Sequence, residues 1–150
     1  MDELIEKHLY HRAPNLLLGN VNEYSKEGMQ TSMQLLHSHP LIQGHFPGLP
    51  IFPGTQMTEM IIQTGGLHMA ETFYPNHREA NQSVGVLRKI EKAKFINFAR
   101  PDQRVSCSVV HLGNVDDFHQ YRGEVRNEAD ELLMKAEVTL VTIPEDTLRG

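Results

Sequence analysis

The sequence predicts an α+β fold in which a strongly curved antiparallel sheet wraps around one buried helix. Residues 54–73 are the only long helix candidate, and their apolar side chains cover nearly the whole circumference, which is typical of a helix buried on most sides. Two strand-like segments precede this helix, and four or five follow it. A helix buried on most sides needs a sheet that curves around it. The open edges of such a sheet are commonly covered by dimerisation.

The first third of the chain predicts a short helix and a hairpin. Residues 2–9 have the spacing of an amphipathic helix, and residues 16–24 read as a strand. Residues 25–28 form a turn, and residues 29–36 alternate as the hairpin partner. The segment 37–53 is rich in proline and glycine, so a loop is expected.

The long helix is predicted from Gly54 to about Phe73, a length of roughly 28 Å. Gly65 and Gly66 lie in its middle and cost about 1–2 kcal/mol relative to alanines. Close packing of another element against the helix backbone is expected to offset that cost.

The remainder of the chain is strand-like. A polar loop over 74–83 is followed by predicted strands at 84–90, 93–98, 104–112, 118–127 and 131–143. The last strand alternates cleanly, so Met134, Ala136 and Val138 are expected on one face together with Leu132 and Leu140. Residues 128–130 are its hairpin turn, and residues 144–150 are expected to be a frayed tail.

Bulk properties limit the function classes. The 150 residues fit one domain over 1–150, with 39% hydrophobic and 22% charged residues. A net charge of −5 argues against a nucleic-acid binder. Cys107, the one cysteine, falls in an alternating strand, which predicts a core thiol and a reducing cytoplasm. The acidic N-terminus is not a signal peptide, and no apolar run reaches the ~20 residues of a membrane span.

The segment 44–54, with Glu59 following it, carries the chemistry. Proline fixes φ and glycine widens the accessible backbone conformations, so this loop can hold the imidazole of His45 in one place. Desolvation on an apolar helix disfavours the charged form of a carboxylate, which suits Glu59 to hold and deliver a proton. An imidazole and a carboxylate together are equipment for acid–base catalysis.

These residues resemble a known family. The run HFPGLPIFPG over 45–54, with Glu59 and Gln63 after it, closely resembles the signature of 3-hydroxyacyl acyl-carrier-protein dehydratases of FabZ type, which have the hot-dog fold. Residues 9–18 (LYHRAPNLLL) and residues 90–95 (IEKAKF) resemble two further segments of that family. The resemblance spans roughly residues 4–143.

The resemblance implies dehydration of a 3-hydroxyacyl thioester to a trans-2-enoyl thioester. It implies His45 as the catalytic base and Glu59 as the catalytic acid, contributed by the helix of the partner subunit. The predicted substrate-binding residues are Phe46, Gly54, Thr55 and Gln63, with the amides at the helix start facing the thioester carbonyl. No metal or organic cofactor is expected. The implied partners are acyl carrier protein, or coenzyme A, and further copies in a homodimer or trimer of dimers.

Several features leave alternatives open. Gln63 lies one turn after Glu59 and either orients it or caps a polar stripe. The histidines at 8, 11, 37 and 39 are expected to be solvated loop residues rather than metal ligands. Residues 88–104 carry six basic and two acidic side chains, which fits either docking of an acidic carrier or a solvated strand face.

The chain also departs from the family pattern. Met60 and Ile62 stand where alanines are common, so they are expected to narrow or reroute an acyl tunnel. Thr55-Gln56 replaces apolar residues, and Ile96-Asn97 and Pro101-Asp102 replace the usual basic and Pro-Gly residues. These departures indicate a specialised pathway, such as polyketide or polyene assembly.

Two rival functions are a hot-dog thioesterase, in which Glu59 activates water, and a non-catalytic acyl-binding subunit.

Overall fold

A six-stranded antiparallel sheet wrapped around one long helix forms the body of the protein, as predicted. The computed structural model describes residues 2–43, 48–81 and 83–149. The helices are α1 (Glu3–His8), α2 (Pro40–Gln43), α3 (Gly54–Phe73) and α4 (Glu145–Arg149). The strands, in the order β1-β2-β4-β5-β6-β3 across the sheet, are β1 (Asn20–Tyr24), β2 (Gly28–Leu35), β3 (Ser83–Phe95), β4 (Gln103–Val115), β5 (Phe118–Arg126) and β6 (Leu132–Pro144).

Helix α3 begins and ends at the predicted residues and packs against every strand from β2 to β6. Eleven of its twenty residues are buried, among them polar side chains such as Gln63 and Thr64. A Cβ at Gly65 would lie 3.1 Å from Leu140 Cδ1 and 3.4 Å from the Tyr121 ring, so the predicted close packing is confirmed there. At Gly66 the added Cβ meets no described atom within 4 Å, so the prediction is wrong for that glycine.

The core predicted for the last strand is confirmed. Met134, Ala136, Val138 and Leu140 are buried, and Leu132 is half-buried. Cys107 is fully buried in β4, and burial raises the pKa of its thiol to about 12. It is therefore a core thiol, as expected, because a thiol that does not ionise near pH 7 is unreactive.

The predicted strand over 16–24 begins late. Residues 16–19 precede the strand: the Leu17 N–H donates to Gln63 Oε1 at 2.9 Å, and the Gly19 N–H donates to the Ser32 carbonyl of β2 at 2.9 Å. The side chains of Leu17 and Leu18 are still buried in the core. The Gln63 side chain of α3 thus accepts the hydrogen bond that the Leu17 N–H would otherwise donate to a neighbouring strand.

Other boundaries differ from the prediction. The predicted strands 84–90 and 93–98 form one strand, β3, which ends at Phe95. Its pairing with β6 shifts register between Leu87 and Lys89 and again between Glu91 and Lys94, where Lys92 has φ 53°. A short helix, α2, lies inside the loop predicted over 37–53, and residues 77–81 form a π-helical turn. The predicted frayed tail contains α4, which is closed by an ion pair between Arg149 and Glu145 at 2.9 Å and by a hydrogen bond from the Tyr10 hydroxyl to Glu145.

Strand β3 is a long edge strand with apolar side chains beside it. It pairs with β6 along one side only. Three large side chains at its C-terminal end are strongly exposed, namely Phe95, Ile96 and Phe98, which are 47–64% accessible. An edge strand flanked by apolar surface is a ready site for pairing with another chain.

Candidate functional site

Glu59 lies in the second turn of α3 beside two neighbours that hold its carboxylate. Gln63 Nε2 donates to Glu59 Oε1 at 3.2 Å, and His11 Nε2 lies 3.6 Å from the same oxygen. The side chain of Glu59 is 35% exposed, so it is less enclosed than the sequence predicted. The described residues therefore bring the predicted carboxylate together with a carboxamide and an imidazole.

Gln63 orients Glu59, which decides between the two alternatives left open by the sequence. Its side chain is 1% exposed. Its Nε2 also donates to the Asn15 carbonyl at 2.9 Å, while its Oε1 accepts from the Leu17 N–H. These backbone contacts hold both the nitrogen and the oxygen of the carboxamide. Its remaining N–H therefore points at Glu59, and Gln63 is not simply part of a polar stripe on the helix surface.

His11 is a neighbour of Glu59 that the sequence did not predict. The sequence predicted a solvated loop histidine, whereas His11 is half-buried against Glu59. The prediction was also wrong for His8, which is buried and lies 2.5 Å from Glu71. His37 is exposed, as expected, and His39 packs edge-on to the ring of Phe52. The signal for His11 was its place inside the family-like segment 9–18.

The start of α3 is the second part of the site. Pro53 precedes the helix and has no side-chain donor or acceptor, so no side-chain cap satisfies the first N–H groups in the described structure. Gly54 packs under the Phe95 ring, since an added Cβ would lie 3.1 Å from it, and Thr55 is exposed. A helix start without a cap presents N–H groups and the positive end of the helix dipole to a ligand.

Two depressions flank these groups. The side pocket runs along α3 from His11 and Gln63 to Tyr74 and His77, and its apolar wall comes from α3, β3 and β6 (Ile62, Gly66, Met69, Ala70, Val84, Val86, Leu140). Its cavity volume is about 50 Å³. The helix-start groove, about 180 Å³, is lined by residues including Gly54, Met57, Phe95 and Phe98.

Met60 and Ile62, which were expected to narrow an acyl tunnel, lie in different surroundings. Ile62 lines the side pocket, as predicted. Met60 is fully buried in the core cluster beneath the sheet and does not belong to the pocket lining. The reason is helix geometry, since residues two apart on a helix point about 200° apart.

His45 and Phe46, with residues 44 and 47, lie outside the described residues. The distance from the predicted base to Glu59 is thus not part of the structural description. Their role stays a prediction from the motif.

The basic side chains predicted as a patch lie mainly on and after β3, and all six are exposed. Lys92 pairs with Glu137 at 3.2 Å and Lys89 with Glu91 at 3.1 Å, while Arg104 donates to Ser32 Oγ at 2.7 Å. The surface is therefore of mixed charge, and both interpretations of it remain open.

A histidine cluster occupies the other end of α3. His68 Nε2 donates to the Ser25 carbonyl at 2.9 Å and its Nδ1 accepts from the Tyr121 hydroxyl at 2.7 Å. His111 Nε2 lies 3.0 Å from His119 Nδ1, and His119 Nε2 lies 3.1 Å from the Tyr74 hydroxyl. These contacts are satisfied when each imidazole is neutral, and burial lowers the pKa of His68, His111 and His119.

We expect this cluster to make the fold acid-sensitive. Because the folded-state pKa values lie below the unfolded value of about 6.5, the unfolded chain binds protons first as the pH falls. The free energy of unfolding should therefore be constant above about pH 7 and fall below about pH 6.5. The check is urea unfolding from pH 7.5 to 5, with His111→Gln expected to reduce the acid slope by up to about 1.4 kcal/mol per pH unit. An unchanged slope would contradict this.

No group of three His, Cys, Asp or Glu side chains within the described ranges is arranged to hold a metal ion. Nor is any helix there long and apolar enough to cross a lipid bilayer.

Comparison with known proteins agrees with this architecture. Among solved structures, the dehydratase heterocomplex ApeI:P from Xenorhabdus doucetiae matches with a TM-score of 0.78 at 17% identity, over 96% of this chain and 93% of that one. A thioesterase from Haemophilus influenzae matches with a TM-score of 0.63 at 14% identity, over 83% and 77%. At these identities the likeness shows the fold alone, and the fold is that of a hot-dog protein.

Sequence relatives give the family. The 3-hydroxyacyl acyl-carrier-protein dehydratase FabZ of Nitratiruptor sp. is 36% identical over 116 residues, covering 74% of this chain and 78% of the relative. The FabZ of Thermotoga maritima is 28% identical over 138 residues, covering 92% and 94%. A family model described as ApeI-like, ApeI dehydratase, matches residues 21–131. The chain belongs to the ApeI-like dehydratase family, and the predicted dehydratase resemblance is confirmed.

Proposed function

We propose that this chain removes water from a 3-hydroxyacyl thioester through His45 and Glu59. The observation that carries the proposal is the Glu59 carboxylate, held by Gln63 beside an apolar pocket and within 3.6 Å of His11. It joins the loop motif that contains His45 and the family membership of the chain. The proposed enzyme is one hot-dog domain over residues 1–150 that works in the cytoplasm without a metal or organic cofactor.

The proposed reaction has a simple balance of atoms. His45 takes the proton from carbon 2, and that electron pair forms the carbon 2–carbon 3 double bond. The carbon 3–oxygen bond breaks, and the leaving hydroxide takes a proton from Glu59 to become water. A positioned acid is needed because hydroxide is a poor leaving group. An imidazole is a suitable base near pH 7.

The start of α3 stabilises the charge that develops on the thioester oxygen. The backbone N–H groups of Gly54 and Thr55 lie where no side chain caps the helix, and the helix dipole adds its positive end. Glycine at position 54 lets the Phe95 ring pack against the helix start, since an added Cβ would lie 3.1 Å from that ring. Phe46, in the same loop as His45, is proposed to bind substrate beside this helix start.

The site is proposed to be complete only in a dimer, with Glu59 serving His45 of the partner subunit. The long edge of β3 and the exposed apolar residues beside it support such pairing. We propose a homodimer or a trimer of dimers. The Xenorhabdus doucetiae relative forms a heterocomplex, so the mass of this chain purified alone, measured by light scattering, tests self-association.

The acyl chain is proposed to enter the side pocket. Its walls are apolar, but its cavity of about 50 Å³ has room for only a few water molecules. Ile62 and Met69 line it and are expected to limit the acyl length. This restriction fits a specialised pathway rather than general fatty acid synthesis.

A product assay tests the proposal. A panel of 3-hydroxyacyl thioesters, each attached to acyl carrier protein and to coenzyme A, is incubated with the protein and followed by mass spectrometry. We expect a loss of 18 Da with the thioester intact, and faster turnover on acyl carrier protein. Release of free thiol would show a thioesterase instead. Binding without turnover across the panel would show an acyl-binding subunit.

A further inference from the structure

His11 has a geometry that the proposed reaction does not yet use. Its Nε2 faces Glu59 Oε1 at 3.6 Å, which is within ion-pair reach but longer than a normal hydrogen bond. Its Nδ1 is buried without a hydrogen-bond partner among the described residues. The His11 side chain is 36% exposed and the Glu59 side chain 35%, so solvent reaches the edge of this pair.

The segment around His11 is held in place. The Arg12 guanidinium donates to the Leu9 carbonyl at 2.8 Å and to the His11 carbonyl at 2.7 Å. On the other side, the Asn15 carbonyl accepts from Gln63. The backbone on both sides of His11 is thereby anchored, and the imidazole is directed at the helix face that carries Glu59. A histidine that served only for packing would not need its Nε2 to face the Glu59 carboxylate.

The proposed dehydration leaves a proton imbalance. After each turnover Glu59 has lost its proton to water, and His45 has gained one from carbon 2. Before the next turnover Glu59 must be reprotonated, and His45 must release its proton. Of the two described neighbours of the Glu59 carboxylate, the Gln63 carboxamide cannot carry a proton at neutral pH, whereas the His11 imidazole can.

We infer that His11 returns the proton to Glu59 between turnovers. Because its Nδ1 is buried, His11 takes a proton from solvent at Nε2 and passes it from the same atom to Glu59 Oε1, by a small approach or through one water. His45 meanwhile releases the α-proton to solvent, so the cycle balances. This inference rests on the proposed function, and His11 acts through Glu59 rather than on the substrate.

The charged and titratable groups around His11 come from three directions. Glu59 faces it from α3, and Arg12 follows it in its own segment. Four further titratable side chains line the pocket that it borders, namely His8, Tyr10, Tyr74 and His77. The pH profile of activity therefore includes several groups, and the test below is kinetic rather than a titration.

The test separates the first turnover from the later ones. Because reprotonation follows the chemical step, His11→Gln and His11→Ala should complete the first turnover at a rate close to wild type and then slow by about 10–100-fold in the steady state. Rapid-quench kinetics should show a burst equal to one product per active site. Added imidazole should restore the steady-state rate of His11→Ala, where the substitution leaves space.

The control is His111→Gln, at the other end of α3. His111 lies against His68, which is nine residues after Glu59 and so roughly 13 Å along the helix. At pH 7.5 this variant should match wild type in both phases. Equal slowing of the first and later turnovers in the His11 variants, with no imidazole rescue, would overturn the inference by showing a positioning role only. An unchanged steady-state rate would also overturn it. An inactive wild type would instead contradict the proposed function.

Discussion

Replacing Glu59 with glutamine should lower kcat for dehydration by about 10³-fold or more while leaving the fold intact. The amide cannot donate a proton to the leaving hydroxide, and loss of a general acid costs about 10²–10⁴-fold. The fold should persist because the new side chain has the same shape, and its oxygen can still accept from Gln63 Nε2. The measurement is kcat with a 3-hydroxyacyl thioester, beside a thermal melt. Glu3→Gln, an exposed change in α1, is the matched control.

His45→Ala should show the same loss, because the base that removes the α-proton is gone. Wild-type activity in either variant would contradict the proposed mechanism. The two variants together also test the shared site. If His45 and Glu59 of one site come from different subunits, a heterodimer of the two variants contains one native site and one doubly altered site.

Mixing the two inactive variants should thus restore activity. Equal mixing and random exchange of subunits give heterodimers for half of the population, so about a quarter of the wild-type activity returns. No recovery after confirmed exchange would show that each site is built within one subunit.

Gly123→Ala should cause a large loss of stability. Gly123 is buried in β5, where an added Cβ would lie 2.5 Å from Ile61 Cγ2 and 2.8 Å from Cγ1. Ile61 is β-branched and fully buried, so it cannot turn away, and α3 must move from the sheet. We expect a loss of about 2–3 kcal/mol and a fall in Tm of about 5–10 °C.

Two further variants make this result specific. Adding Ile61→Ala to Gly123→Ala should return part of the loss, because the space is vacated, and a double-mutant cycle measures that coupling. Gly66→Ala is the matched glycine control, since its Cβ meets no described atom within 4 Å. It should stabilise the helix by up to about 1 kcal/mol. A stable Gly123→Ala would contradict the close contact between α3 and β5.

Predictions from the sequence were correct where a residue's structure depends on its neighbours in the chain, and wrong where it depends on contacts with distant segments. The limits of α3 were predicted correctly because proline and glycine set its start and its apolar residues cover all faces. The strand predicted over 16–24 begins late, at Asn20, and the Leu17 N–H goes instead to Gln63, which is 46 residues away in sequence. Likewise β3 is continuous although the chain is irregular near Lys92, since pairing with β6 resumes on both sides. Local patterns do not contain such distant partners.

The candidate site divides in the same way. The resemblance of the motif at 45–54, with Glu59, to the dehydratase signature predicted acid–base chemistry, because such a motif is carried in the local sequence. The sequence could not decide whether Gln63 orients Glu59. It also did not predict that Met60 points to the core while Ile62 lines the pocket, or that His11 contacts the Glu59 carboxylate. The contacts of Gln63 and His11 join segments 46 and 48 residues apart, and they exist only once the 9–18 segment packs across α3. The sequence by itself therefore determined the class of fold and the class of reaction, since composition, period and motif are properties of local order. Only the tertiary structure decided which groups surround the carboxylate, because that depends on which distant segments the buried helix brings together.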